Sequence, residues 1–283
     1  MSIRIIADSA SDIPQETAKQ WGITVLPLKI RFGDEEFLDG VTLSNREFYE
    51  KLIETDDVPK TSQIPPFEYE EEFQKAVDEG DEVICFTLSS GLSGSYQSAM
   101  IAADEFEENV YVIDSGQVCF SYYILVEYAV RLRNEGKSAK EIVDLIEEKK
   151  KTVTVLAIFD TLEYLKLGGR LSGAAAFAGN LLSIKPVITI TDGLVDVIGK
   201  ARGSKNGNNM LIQKVQEKGG IDFSMPICLG YSGLSDEMLQ KYIADSADLY
   251  EGKTDCLPIV NVGSTIGTYA GPGAIAFAFF PVQ

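Results

Sequence analysis

The chain has 283 residues, 45% of them apolar and 24% charged, with 25 Lys and Arg against 43 Asp and Glu, a formal charge of −18 and no histidine. That length and apolar content support one large domain or two ordinary ones with a real core, and exclude disorder. The acidity excludes a nucleic-acid partner and docking on an anionic membrane, because both need a basic surface. The missing histidine excludes Ser-His-Asp and Cys-His nucleophilic sites and removes the commonest ligand of catalytic zinc.

The first residues, MSIRIIADS, run directly into a strand pattern at 3–7 and predict no signal peptide. Asp12 is placed to cap a helix that ends near Gly22. ITVLPLKIRF predicts a strand, with Pro27 marking an edge or a bend. Ser44 and Glu47 form a capping box ahead of Phe48, Leu52 and Ile53. After the loop PKTSQIPP, Tyr69, Phe73, Ala76 and Val77 share one helical face, closed by Gly80. Residues 82–88 (EVICFTL) read as a strand. The Ser/Gly-rich loop that follows leads into a helix with Tyr96, Ala99, Met100 and Ala103 on one face. NVYVID, at 109–114, is another strand. A helix with Leu125, Val126, Ala129 and Val130 inward ends at Gly136, and a second capping box, Ser138 with Glu141, opens the next. Such alternation predicts a mostly parallel sheet flanked by helices, assigned to residues 1–152.

The texture changes near residue 152. TVTVLAIF is a β-branched strand, after which Asp160 and Glu163 are placed to cap a short helix stopping at LGGRLSG. AAAFAGNLL reads as a helix of small apolar residues. KPVITIT and LVDVIGKAR around Asp192-Gly193 predict a β-hairpin, and AIAFAFF a buried strand. Residues 153–283 are therefore expected to form an α+β domain with a mixed or antiparallel sheet, making the whole a two-domain α/β protein. The four cysteines, Cys85, Cys119, Cys228 and Cys256, are too widely spaced for a disulfide framework or a zinc site, and read as reduced core thiols of a cytoplasmic protein. No metal or cofactor is implied.

Ligands of open parallel sheets bind beyond the carboxyl ends of the strands. Asp8-Ser9, the stretch 89–95 and Asp114-Ser115 stand at such ends. Thr61 and Ser62 join the same rim if their loop follows or crosses a strand. Glycines, a helix N-terminus and the Ser93 hydroxyl suit a small anion such as a carboxylate or phosphate; caps and turns account for the same residues equally well. The stretch lacks the GK[ST] ending of a Walker loop. Arg170, between glycines, and Arg202, after the hairpin, are either cations of a cleft or surface ion-pair partners. The small residues of 174–182 either shape an apolar tunnel or permit close helix packing. A hydrolase or phosphoryl-transfer enzyme built on Ser93 or an Asp is the alternative to a binding protein, without a histidine to activate it.

Taken in order, DSASD near the start, TSQ at 61–63, SSGLSGSYQSA at 89–99, IDS at 113–115, LEYLKLGGRLSG at 162–173, IKP at 184–186, Arg202 and GTYAGPGAIA at 267–276 resemble the bacterial DegV family, the fatty-acid-binding proteins that serve fatty acid kinase. The resemblance covers essentially the whole chain. It implies two α/β domains holding one long-chain fatty acid, and a carrier with no catalytic residue of its own. The carrier presents the carboxyl group to a separate kinase subunit for acyl phosphate formation, and delivers the product to membrane acyltransferases. By the same resemblance Thr61, Ser62, Ser93, Gly94, Arg170 and Tyr269 surround the carboxylate. Ala174, Phe177, Ala178, Leu181, Leu182, Ile188, Ile190 and Phe277 line the acyl tunnel, and Arg202 contacts the kinase. One departure stands out: the family commonly has histidine where this chain has Tyr269. Tyrosine still donates an O–H but does not become cationic near neutral pH. The segment GQVCFSYY is also bulkier than is usual there, and either narrows the pocket or fills core.

Overall fold

The computed structural model describes residues 2–55, 57–106, 109–171 and 184–282. The first half runs β1 (Ile3–Asp8), α1 (Gln15–Trp21), β2 (Thr24–Leu26), β3 (Lys29–Phe32), β4 (Glu35–Leu38), α2 (Asn45–Glu54), β5 (Lys60–Ser62), α3 (Pro66–Asp78), β6 (Glu82–Thr87), α4 (Ser95–Ala103), β7 (Val110–Asp114), α5 (Cys119–Asn134) and α6 (Ala139–Lys149). The second runs β8 (Thr154–Ile158), α7 (Glu163–Leu167), β9 (Ile184–Thr191), β10 (Leu194–Arg202), α8 (Gly203–Glu217), β11 (Cys228–Tyr231), α9 (Glu237–Asp245), β12 (Ile259–Asn261), α10 (Ser264–Ala270) and β13 (Ile275–Phe279).

These elements give an α/β protein with two main sheets. A four-stranded parallel sheet has the order β2-β1-β6-β7, and a six-stranded mixed sheet the order β10-β9-β8-β13-β11-β12. The run ITVLPLKIRF is not one strand. It breaks after Leu26, where Pro27 offers no N–H to a ladder. β2 ends the parallel sheet as its edge, while β3 crosses to a small antiparallel sheet, β4-β3-β5. Both capping boxes form as their sequences dictate: Ser44 and Ser138 accept from the N–H groups of Glu47 and Glu141, whose carboxylates accept in return.

Helix α5 is buried almost all round because it lies between the sheets. Phe120, Ile124 and Leu125 share one core with Val83 and Ile84 of the first sheet and with Val155, Cys228 and Phe280 of the second half. The bulk of FSYY is therefore core, with Tyr122 donating its O–H to the Phe86 carbonyl at 2.8 Å. No helix among the described residues is long and apolar enough to cross a membrane.

Three local expectations are corrected. Met100 is 41% exposed, and α4 instead buries Ser95, Ser98, Ala99 and Ala102, small residues that let it pack closely on α3. Asp12 does not cap α1, which starts at Gln15 behind Pro14 without a side-chain cap; its carboxyl is drawn across to the second half of the chain. Asp160 pairs with Lys185 rather than capping α7, and Thr161 Oγ1 accepts from the Glu163 N–H instead.

The β9–β10 hairpin turns at Asp192 and Gly193, both at positive φ (50° and 74°), the pair of conformations a two-residue turn of this hand needs. Its tip docks on the first half through Ser89 Oγ, which donates to the Gly193 carbonyl at 2.7 Å. A Cβ on Gly193 would lie 2.5 Å from that oxygen. Gly193→Ala is therefore expected to destabilise the protein by about 1–2 kcal/mol, read as a lower urea midpoint at unchanged slope; an unchanged midpoint would show that the turn does not constrain the fold.

Candidate functional site

Successive residues of a strand face opposite sides of its sheet. In the middle of the six-stranded sheet, β8 and β13 pair Ala157 with Ala276 and Leu156 with Phe277. One face is filled by Leu156, Ile158, Phe277 and Phe279 packed on Tyr242. The other carries alanines and leaves room. Over it lies a cavity of about 390 Å³, within the size range of small-molecule sites. Val155, Ala157 and Phe159 on one side and Ala274 and Ala276 on the other form its floor. From residue 155 to 159 the floor runs about 13 Å, at roughly 3.3 Å per residue. Leu28, Leu88 and Cys119 from the first half and Leu165 from the second add apolar wall. Helix α10 supplies Thr265, Ile266, Tyr269 and Ala270, one face of its turns.

The polar groups collect at the mouth. Thr61, on edge strand β5, brings its Oγ1 to 2.6 Å from the Tyr269 hydroxyl. The Arg170 guanidinium stands 5.1 Å from the centroid of the Tyr269 ring and donates to the carbonyls of Leu92 and Gly168 at 3.3 and 2.6 Å. It thereby ties the Ser-rich loop to the second half, and stacking adds a cation–π attraction. Gly168 is required beneath the ring, since a Cβ there would fall 2.4 Å from it. Ser93 Oγ lies 3.0 Å from Ser95 Oγ and accepts the Ser95 N–H at 3.2 Å; neither neighbour is a base. Other hydroxyls of the loop hold its shape, Ser90 bonding Asp114 at the end of β7.

Thr61, Ser62, Ser93, Gly94, Arg170, Tyr269 and Ile190 thus all line one cavity. Ile188 packs in the core cluster around Ala157 and is not part of the lining. Phe277 is a correction: strand parity turns its ring to the opposite face of the sheet, onto Tyr242, and the lining residue is its neighbour Ala276. Ala174, Phe177, Ala178, Leu181 and Leu182 lie outside the described residues. Arg202 is exposed at the end of β10, away from the lining, and its carbonyl accepts from Asn206. Gln63 belongs to the site although only its place in TSQ signalled it. It donates to Ser98 Oγ at 2.9 Å, and its own Oε1 sits 2.0 Å from where a Cβ of Gly94 would be, so a side chain at 94 would displace the Gln63 amide.

Helix α10, which carries Tyr269, is anchored from below. Asp39 accepts from the N–H of Ser264 at 3.0 Å and of Thr265 at 3.3 Å, from Ser264 Oγ, and from Ser9 Oγ at 2.9 Å. Asp12 Oδ1 accepts the Gly263 N–H at 2.8 Å, while its Oδ2 is buried without a hydrogen-bond partner among the described residues. Asp8 accepts the N–H of Leu88 at 2.8 Å and of Ala10 at 3.1 Å. Burial pushes Asp8 up to about 7, against its two backbone hydrogen bonds, and the charge on Asp39 adds to the rise. Burial likewise pushes Asp12 up to about 8, opposed by the Cys119 thiol and helped by Asp39.

The sequence profile of the DegV family, described as uncharacterised proteins, matches residues 2–282. The chain belongs to the DegV family. A DegV domain-containing protein of Caldanaerobacter subterraneus is 35% identical over 280 residues, 98% of each chain. A DegV family protein of Thermus thermophilus, described by its fatty acid binding, has a similar structure with a TM-score of 0.87 at 29% identity over 100% of both chains. Another, from Eubacterium eligens and loaded with heptadecanoic acid, gives 0.81 at 26% identity, covering 99% of this chain and 100% of that one.

Because Asp8 and Asp12 hold their protons more tightly folded than unfolded, they stabilise the fold at low pH, and that contribution is lost as the pH climbs from near 4 through about 7 and about 8. Asp12→Asn keeps an oxygen for Gly263 and cannot ionise. Between pH 5 and 7 its stability relative to the native chain is expected to rise by on the order of 1 kcal/mol per pH unit. Urea unfolding at several pH values checks this, and a constant difference would contradict it.

Proposed function

We propose that this chain binds a long-chain fatty acid, with the tail on the alanine floor and the carboxylate at the mouth among Thr61, Ser93 and Tyr269. The observation that carries the reading is a cavity of about 390 Å³ lined mainly by apolar residues, with Thr61, Tyr269 and the exposed Arg170 in mutual contact beside them. A carrier of a single-headed amphiphile needs that asymmetry. Each buried methylene contributes about 0.8 kcal/mol, so the tail supplies most of the affinity. The carboxylate must meet converging donors, because an unpaired buried charge is costly. The relatives described as binding fatty acid, one of them loaded with heptadecanoic acid, support the same ligand class. Among the described residues the hydrogen-bond partners of Ser93 are the Ser95 hydroxyl and N–H, neither of them a base, which favours binding over turnover.

The carrier's further task, in this proposal, is to offer the carboxyl group to a separate kinase subunit for acyl phosphate formation in the cytoplasm, with Arg202 as the contact and membrane acyltransferases as later recipients. The support is that Arg202 is exposed and stands clear of the lining, free to meet a partner without disturbing the lipid.

Thr61→Ala and Ser93→Ala are each expected to weaken heptadecanoic acid binding about tenfold, the worth of one hydrogen bond to a charged group, with folding intact by circular dichroism. Unchanged affinity in both would remove the head-group assignment. Arg202→Ala is expected to bind lipid as the native chain does and to slow acyl phosphate formation at least tenfold in an assay with the kinase; a full rate would refute the contact. Mass spectrometry of lipid released from protein purified without detergent identifies the chain carried, and an absence of any fatty acid, together with no uptake of added heptadecanoic acid, would overturn the reading.

A further inference from the structure

The buried acids and the cavity are connected by hydrogen bonds. Four residues that line the cavity are tied to the acidic cluster: Leu88 gives its N–H to Asp8, Thr265 gives its N–H to Asp39, Leu28 gives its N–H to Ser9 Oγ, itself bonded to Asp39, and the thiol of Cys119 faces Asp12. Around Asp12 stand Asp8 at the end of β1, Asp39 after β4, Tyr49 of α2, Cys119 at the start of α5 and Cys228 of β11. None of the three carboxyls is salt-bridged among the described residues. The wall of the cavity at this end is therefore one residue thick, and behind it lie three acids with no cation to balance them.

Filling the cavity with hydrocarbon removes water from the other side of that wall. A less polar surrounding disfavours a buried charge and favours the protonated acid. By linkage the converse also holds: ionising the acids opposes the entry of the tail. Asp8 and Asp12 also hold the wall itself, accepting the N–H groups of Leu88 and Gly263, so their ionisation bears on how that wall is held. We infer that capture of the fatty acid is coupled to proton uptake by Asp8 and Asp12, with Asp12 as a positioning residue of α10 through which pH sets affinity. The ligand contacts none of these carboxyls; they act through the wall. The upward displacement of Asp8 and Asp12 by burial puts the response between neutral and mildly alkaline pH.

This inference rests on the lipid reading above, and its test separates the two. Heptadecanoic acid binding is measured by calorimetry from pH 6 to 8.5, in pairs of buffers with different ionisation enthalpies, for the native chain and for Asp12→Asn. The native chain is expected to take up a fraction of a proton on binding and to lose at least fivefold in affinity across the range. Any titration of the ligand is common to both proteins, so Asp12→Asn is expected to show a pH dependence at least threefold shallower. Asp8→Asn serves as the second variant should Asp12→Asn fail to fold, and the proton count on the native chain needs no variant. Equal pH dependence in native and variant proteins, or binding without proton uptake, overturns the inference while leaving the carrier reading intact. Failure to bind at any pH overturns both.

Discussion

The site depends on how a short helix start is satisfied in a dry place. The N–H groups of Gly263, Ser264 and Thr265 open α10, and a helix leaves such groups without intrahelical partners. Buried and unpaired they would each cost on the order of 1–3 kcal/mol. Asp12 and Asp39, more than 200 residues earlier in the chain, accept all three. The two halves of the protein are thereby locked at the point from which α10 projects Tyr269 toward Thr61. If α10 shifted, the hydroxyl pair, the stacked Arg170 and the wall at Thr265 would move together.

The cavity itself is a consequence of residue size on one face of one sheet. On the far side Phe277 stacks on both Tyr242 and Phe279, while Ala274 and Ala276 leave the near side hollow. Protein interiors are otherwise close-packed, so this hollow is held open by what surrounds it: the bulky, rigid far face and the docked hairpin tip at Ser89. A larger residue at Ala157 or Ala276, at the middle of the floor and paired with each other, would fill it from within.

Much of this was legible in the sequence because its causes are local. Asp192-Gly193 predicts its own turn, Ser138 with Glu141 its own cap, and the alternation of strands and helices its own parallel sheet. The ordered motifs, from TSQ to GTYAGPG, pick out residues that share one cavity lining, Thr61, Ser93 and Tyr269 among them. What was not legible is set by distance in the chain or by parity. Asp12 reads as a helix cap because nothing nearby in sequence announces Gly263. The run AIAFAFF reads as buried on both faces, so the pattern does not tell which phenylalanines face the hollow, and Phe277 was placed on the wrong side. Met100 fits an apolar stripe, yet α4 packs through serines and alanines, which a count of hydrophobic residues undervalues.

A division of labour follows from which groups can titrate. Thr61, Ser93, Tyr269 and Arg170 line the cavity, and none of these residue types ordinarily changes charge between pH 6 and 8. The proposed grip on a carboxylate by hydroxyls and a guanidinium would therefore hold steady across that range. Asp8 and Asp12, which burial pushes up to about 7 and about 8, lie behind the lining residues Leu88 and Cys119 and not in the lining itself. In the proposed carrier, orientation would rest on donors that hold steady, and sensitivity to protons on the region whose dryness a bound tail would control.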